Sequence, residues 1–153
     1  VNLDSDFEND LREAVLDDVH AQLIGTDGLA KEVQTHAHGL LRAYGQRHDY
    51  DVQSLIDAGE LEVDRQPDRV VARWGWPEPA IYFERGTVAH EVHATNADVL
   101  SFIWRDPPEW VREEFEPEGD GYRVFLPSVN VEGLPESRFI RDTLNWLRRR
   151  LQR

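Results

Sequence analysis

Apolar residues recur at two different periods along this chain, and the switch between them sets the class of fold open to it. Phe7, Leu11, Val15, Val19 and Leu23 fall four apart, which draws a single stripe along a helix over residues 7–24. Asp4, Ser5 or Asp6 can cap that helix, and Glu8, Asp10 and Glu13 suit the positive end of its dipole. Gly25-Thr26-Asp27-Gly28 then interrupts, and a second stripe follows at Leu29, Val33, Ala37, Leu40, Leu41 and Tyr44, ending near Gly45. Each glycine costs about 1 kcal/mol in a helix interior, so a broken helix pair is favoured over one long helix. A last stripe, Phe139, Ile140, Thr143, Leu144, Leu147 and Leu151, predicts a C-terminal amphipathic helix.

Between these helices the period drops to two. Leu61-Val63 and Val70-Ala72-Trp74-Trp76 read as strands joined by a hairpin turn at Arg65-Gln66-Pro67-Asp68. Further strands are expected at His90 to Ala94, at Leu100 to Trp104, and from Tyr122 through Val124 and Leu126 to Val129. Gln46 to Ala58 reads as a turn and a short helix through Leu55 and Ile56. Helices at the two ends and strands in the middle predict an α+β fold: a small antiparallel sheet with the C-terminal helix packed on it. At 153 residues, with 40% hydrophobic residues, five Trp and six Phe, the chain can bury a core as a single domain spanning 1–153.

Two stretches stand apart. Ala80 to Phe102, AIYFERGTVAHEVHATNADVLSF, joins a segment expected to be buried, Ile81-Tyr82-Phe83, to a half-buried strand through a Gly86-Thr87 turn. Arg105 to Gly121, RDPPEWVREEFEPEGDG, carries three prolines and seven acids, which keep it out of the sheet. Trp110 and Phe115 are costly to leave in water. Either this loop tucks both aromatics onto its own domain, or it projects and docks them on a partner.

Charge excludes some functions. Thirty acids face seventeen bases for a net charge of −13, and Lys31 is the one lysine. Adaptation to high salt accounts for this pattern, because screening shortens to roughly 3 Å at molar salt and self-repulsion costs little there. GC-rich codon usage also favours Arg over Lys. Either way, so acidic a chain is no generic binder of nucleic-acid backbone. Arg148-Arg149-Arg150 is the exception, a basic cluster suited both to the negative end of the last helix's dipole and to an acidic neighbour. No apolar run is long enough to span a membrane, and the acidic first residues are not expected to act as a signal peptide. Without cysteine there is neither disulfide nor thiol chemistry.

His90-Glu91-Val92-His93 invites a metal reading, but a zincin needs histidines four apart on a helix. Three apart on a strand, His90 and His93 point to opposite faces. His36 and His38, two apart on a helix, diverge by about 200°. No nucleophile elbow, P-loop or dinucleotide fingerprint occurs, so the expectation is a non-enzymatic protein with no cofactor and no metal.

Tyr82-Phe83-Glu84-Arg85-Gly86-Thr87, then His90-Glu91-Val92, then Leu100-Ser101-Phe102, resembles the signature of a tail-component family of tailed viruses, the neck, head–tail joining or tail-completion proteins. The later parts of that pattern match at Val124-Phe125, Val129, Gly133, Pro135 and Phe139, the head of the last helix. Two departures stand out: an Asp-Thr-Gly-x-Leu phrase is represented only by Ser54-Leu55-Ile56 or Ala58-Gly59-Glu60-Leu61, and the 105–121 loop is longer than usual. The resemblance implies a homo-oligomeric ring, with a hexamer among the symmetries that fit, set between portal and adaptor proteins and the tail tube. DNA would pass through its lumen without specific binding. It also implies a virion location, with host cytoplasm during assembly, and the composition then points to a virus of a halophilic archaeon. Trp110, Phe115, Arg148, Arg149 and Arg150 are the candidate partner surface. Two other readings stay open: a small metal-dependent hydrolase using His90 and His93, and a binding module of a halophile's cytoplasm.

Overall fold

The computed structural model describes residues 5–152. The elements run α1 (Ser5–Ile24), α2 (Leu29–His48), α3 (Gln53–Asp57), β1 (Glu60–Arg65), β2 (Val70–Gly75), α4 (Ala80–Arg85), β3 (His90–His93), β4 (Leu100–Trp104), α5 (Glu109–Glu114), β5 (Pro117–Glu118), β6 (Gly121–Leu126), β7 (Ser128–Val131) and α6 (Phe139–Leu151). The fold is α+β, with a bent helix pair first and a helix last. These elements form two compact units: one holds the chain up to Gly86 and again from Pro135, the other is Thr87–Leu134.

In the first unit the helix pair breaks where the glycines fall. A Cβ on Gly28 would collide with the Leu23 carbonyl oxygen, so the chain can turn this tightly only at glycine. The cap expected at Asp4, Ser5 or Asp6 falls at the edge of the described residues, with Asp4 outside them. Helix α2 runs on past Gly45 to His48, further than expected, and ends at Asp49 in the left-handed conformation, φ 57°. Gly45 is a packing position instead of a stop, since a side chain there would meet the Tyr50 carbonyl and Val52.

The core lies along α2. Ala37 and Leu41 are fully buried against Val52, Leu55, Ile56, Ala80 and Phe139. Phe139, at the head of α6, takes Trp76 edge-on at 5.2 Å. Further along, Trp146 stacks on His36 at 4.4 Å. Helix α6 therefore rests mainly on α2 and not on a sheet. The β1–β2 hairpin pairs Glu60 with Gly75 through Arg65 with Val70, and its turn closes through Gln66 N–H to the Arg69 carbonyl at 2.8 Å. Trp74 Nε1 donates to the Ala30 carbonyl at 2.9 Å and fastens this hairpin to α2. Helix α1 forms as its stripe predicts, yet Phe7, Leu11, Val15 and Val19 stay exposed.

The second unit carries two small sheets: β3 pairs with β7, and β4, β6 and β5 form a three-stranded sheet in that order. Together with the hairpin, three antiparallel sheets stand where one was expected. The strand expected to run from Tyr122 to Val129 is split at Pro127, and its halves join different sheets. The 105–121 segment also departs from its expectation. It folds into α5, which buries Val111, and into β5, which adds a two-residue edge to β6. Prolines are tolerated there because an edge strand needs few ladder donors. Among the described residues no helix is long and apolar enough to cross a membrane.

His36 and His38 diverge as expected and serve different partners. His38 Nε2 accepts from Trp76 Nε1 at 3.3 Å, which requires the neutral ring with its proton on Nδ1. Gly59 makes room for the pair, since a Cβ there would press on both rings. Burial first, then the nearby Arg42, lowers the His38 pKa from the ordinary 6.5, with Asp57 opposing. Below 6.5 the unfolded chain takes up a proton that the folded chain resists. The contribution of His38 is thus full above 6.5 and declines as pH falls from there toward the lower folded value. Denaturant titrations at about pH 7.5 and about pH 5.5 should show wild type losing more stability on acidification than His38→Gln. Equal losses would exclude this linkage.

Candidate functional site

The resemblance rests on residues scattered from Tyr82 to Phe139, and the fold gathers several of them at one corner. Pro77 and Pro79 end β2, and the chain turns directly into α4, with Ala80 N–H bonded to the Pro77 carbonyl at 2.9 Å. Ile81-Tyr82-Phe83 is therefore helical, and the expectation of a buried run is corrected. With a period of 3.6, Ala80 and Glu84 share the inward face, at 4% and 8% exposure, while Ile81 and Tyr82 face out at 38% and 49%. Phe83 lies between, edge-on to Tyr44 at 5.9 Å. Tyr44 is itself buried, which pushes its phenol pKa up, and its hydroxyl donates to the Pro135 carbonyl at 2.6 Å.

Glu84 is buried because it caps another helix. Its Oε2 accepts from the Ile140 N–H at 2.8 Å and its Oε1 from the Arg141 N–H at 3.2 Å. These are first-turn donors of α6, which a helix cannot satisfy internally. The local cap position is Arg138, held at φ 58° with no side-chain cap bond. Its N–H is fixed instead by the Glu84 carbonyl at 3.2 Å, and Ser137 N–H by the Phe83 carbonyl at 2.8 Å. A carboxylate at a helix N-terminus is also favoured by the dipole. Phe139, fully buried, follows the cap directly.

Gly86 leaves α4 at φ 70° and ψ 172°, a conformation essentially restricted to glycine. Thr87, in the second unit, then pairs with Leu134: its N–H donates to the Leu134 carbonyl at 2.8 Å, and its Oγ1 accepts from the Leu134 N–H at 2.9 Å. A side chain on Gly133 would collide with the Thr87 carbonyl oxygen. Glu84, Gly86 and Thr87 are thus engaged in shaping or holding backbone, while Phe139 fills the core.

The remaining singled-out residues lie elsewhere. His90 is exposed, with Nδ1 2.9 Å from the Val88 carbonyl, and His93 Nε2 lies 3.3 Å from Glu91 Oε2. Among the described residues no group of three His, Asp or Glu side chains is placed to hold a metal. Leu100 and Phe102, on β4, line a shallow apolar groove with Val92, Val129 and Val131. Trp110 packs edge-on against Trp104 at 6.4 Å and meets Phe115 at 6.4 Å, yet stays 46% exposed. Both readings of the 105–121 aromatics thus keep some footing. Arg150 pairs with Glu32 at 2.8 Å and lies over Trp146, while Arg148 and Arg149 are exposed without an ion pair among the described residues. The cap made by Glu84 went unseen in the sequence. Its one trace there is negative: no Ser, Thr, Asp or Asn stands immediately before Phe139 to cap the helix.

Comparison of the chain with protein-family models, with curated proteins and with solved structures gives no match.

Replacing Glu84 by Ala removes two acceptors from buried donors and should destabilise the protein by about 2–3 kcal/mol. Glu84→Gln keeps one acceptor oxygen and should lose about half as much. Urea unfolding reads both, and an unchanged midpoint for Glu84→Ala would mean that the cap carries no stability.

Proposed function

We propose that this chain is a structural subunit of a tailed-virus particle. It forms a ring at the head–tail neck or at the head-proximal end of the tail tube, joining head to tail and leaving a channel for DNA. The observation that carries this reading is the corner. In the first unit Glu84 caps α6 beside the buried Phe139 and Gly86 turns the chain out of α4, while in the second Thr87 pairs with Leu134, so each of these residues of the resemblance serves the backbone or core of its own unit. Such a motif preserves a subunit's shape and performs no reaction, which is what a structural family would retain.

Two further features are in keeping with an assembling subunit. A ring member presents different surfaces to its two neighbours, and Trp110, Leu144, Leu151 and the α1 stripe remain on the surface. The net charge of −13 suits a lumen that repels the DNA backbone and lets it slide.

Electron microscopy of the purified protein in molar salt is the direct test. Closed rings with an acidic lumen are expected. A dispersed monomer that fails to promote joining of separated heads and tails would sink the proposal, and a lumen lined mainly by arginine would sink its account of DNA passage.

A further inference from the structure

Helix α1 packs on the first unit only through its C-terminal half, where Asp17 pairs with Arg65 at 3.0 Å. Residues 6–15 are exposed without exception, including Phe7 at 51%, Leu11 at 54% and Val15 at 54%. Only towards its C-terminal half do Leu16, His20 and Leu23 become half-buried. A stretch of ten residues with no buried side chain is too short to hold helix in water on propensity alone. From Phe7 to Val15 its apolar stripe points to a covering surface that the described residues of the single chain do not supply, whereas Val19 and Leu23 already share a groove with Leu151 of the same chain.

The charges around the stripe narrow what can cover it. Residues 6–18 carry the acids Asp6, Glu8, Asp10, Glu13, Asp17 and Asp18 against one arginine, Arg12. At about 100° per residue, Glu8 and Asp10 lie roughly 80° to either side of the Phe7–Leu11 line. A second α1 would bring like charge against like. The covering surface must be apolar and edged with cations.

The chain itself carries one such face. On α6, Arg141, Leu144, Arg148 and Leu151 fall at i, i+3, i+7 and i+10, a single row. Leu144 is 44% exposed and Leu151 67% exposed, with Arg148 free of any ion pair among the described residues. The opposite side of α6 is the one occupied, by Phe139 and Thr143 in the core. On this face the arginines flank the leucines along one side; Arg141 is already paired with Glu84 at 3.9 Å, which leaves Arg148 as the cation set to meet the acids of α1.

We infer that the α1 stripe of one copy is covered by the Arg141–Leu151 face of α6 of a second copy. This rests on the ring reading and specifies its contact: two different surfaces meet, as a closed ring requires. Apolar burial supplies the affinity, and the opposed charges fix which helix is accepted.

Sedimentation of full-length protein over a concentration series, in moderate and in molar salt, tests this. Wild type should self-associate. Arg148→Glu should weaken association about tenfold or more, and adding Glu8→Arg and Asp10→Arg to the same chain should restore much of the loss. All three positions are exposed, so far-ultraviolet circular dichroism should be unchanged by the substitutions. If Arg148→Glu assembles like wild type, this contact is wrong while the ring reading stands. If wild type is monomeric throughout, both fall.

Discussion

The carboxylate of Glu84 is the group on which the arrangement of the first unit depends. It sits at the end of a six-residue helix, buried, and satisfies the N-terminus of a thirteen-residue helix that begins far downstream. A local cap would hold only the helix it belongs to. A cap supplied by α4 also fixes α6 relative to α4, and through Phe139 places it against α2. Local hydrogen bonding and tertiary packing are here one interaction, so α6 cannot shift without exposing both a carboxylate and a phenylalanine.

That economy explains why Arg138 tolerates a left-handed backbone, rare for a residue with a long side chain. The residue before a helix usually extends and lends its own side chain. Arg138 turns sharply instead, because its N–H is already held by the Glu84 carbonyl. The strain sits where bonds from another element determine the geometry on both sides.

How far the sequence reveals this fold follows from the range of each interaction. Helix stripes, the Gly28 break and the β1–β2 turn are local, and all were legible. Strand partners were not: alternation says that Val124 and Val129 lie in strands, but only Pro127 hints that they belong to different sheets. The Ile81–Phe83 run misled because three consecutive apolar residues suggest a buried segment, whereas on a helix they point in different directions. Glu84 misled differently, since in a chain with thirty acids one more carboxylate carries no signal. The stripe on α1 was read correctly as a helix, but its exposure was not legible, because periodicity reports an apolar face without saying what lies against it.

The pairing of Thr87 with Leu134 has a consequence for how such a chain tolerates change. The first and last residues of the second unit are joined by two hydrogen bonds, so everything between them is a closed excursion whose ends coincide. Chain lengthened or shortened within it adds little closure entropy, which grows only with the logarithm of loop length. The spacing of Glu84 from its helix in sequence is therefore not fixed by the cap. Material can be gained or lost in the exposed turns between the strands of Thr87–Leu134 while the Thr87–Leu134 pair stays closed.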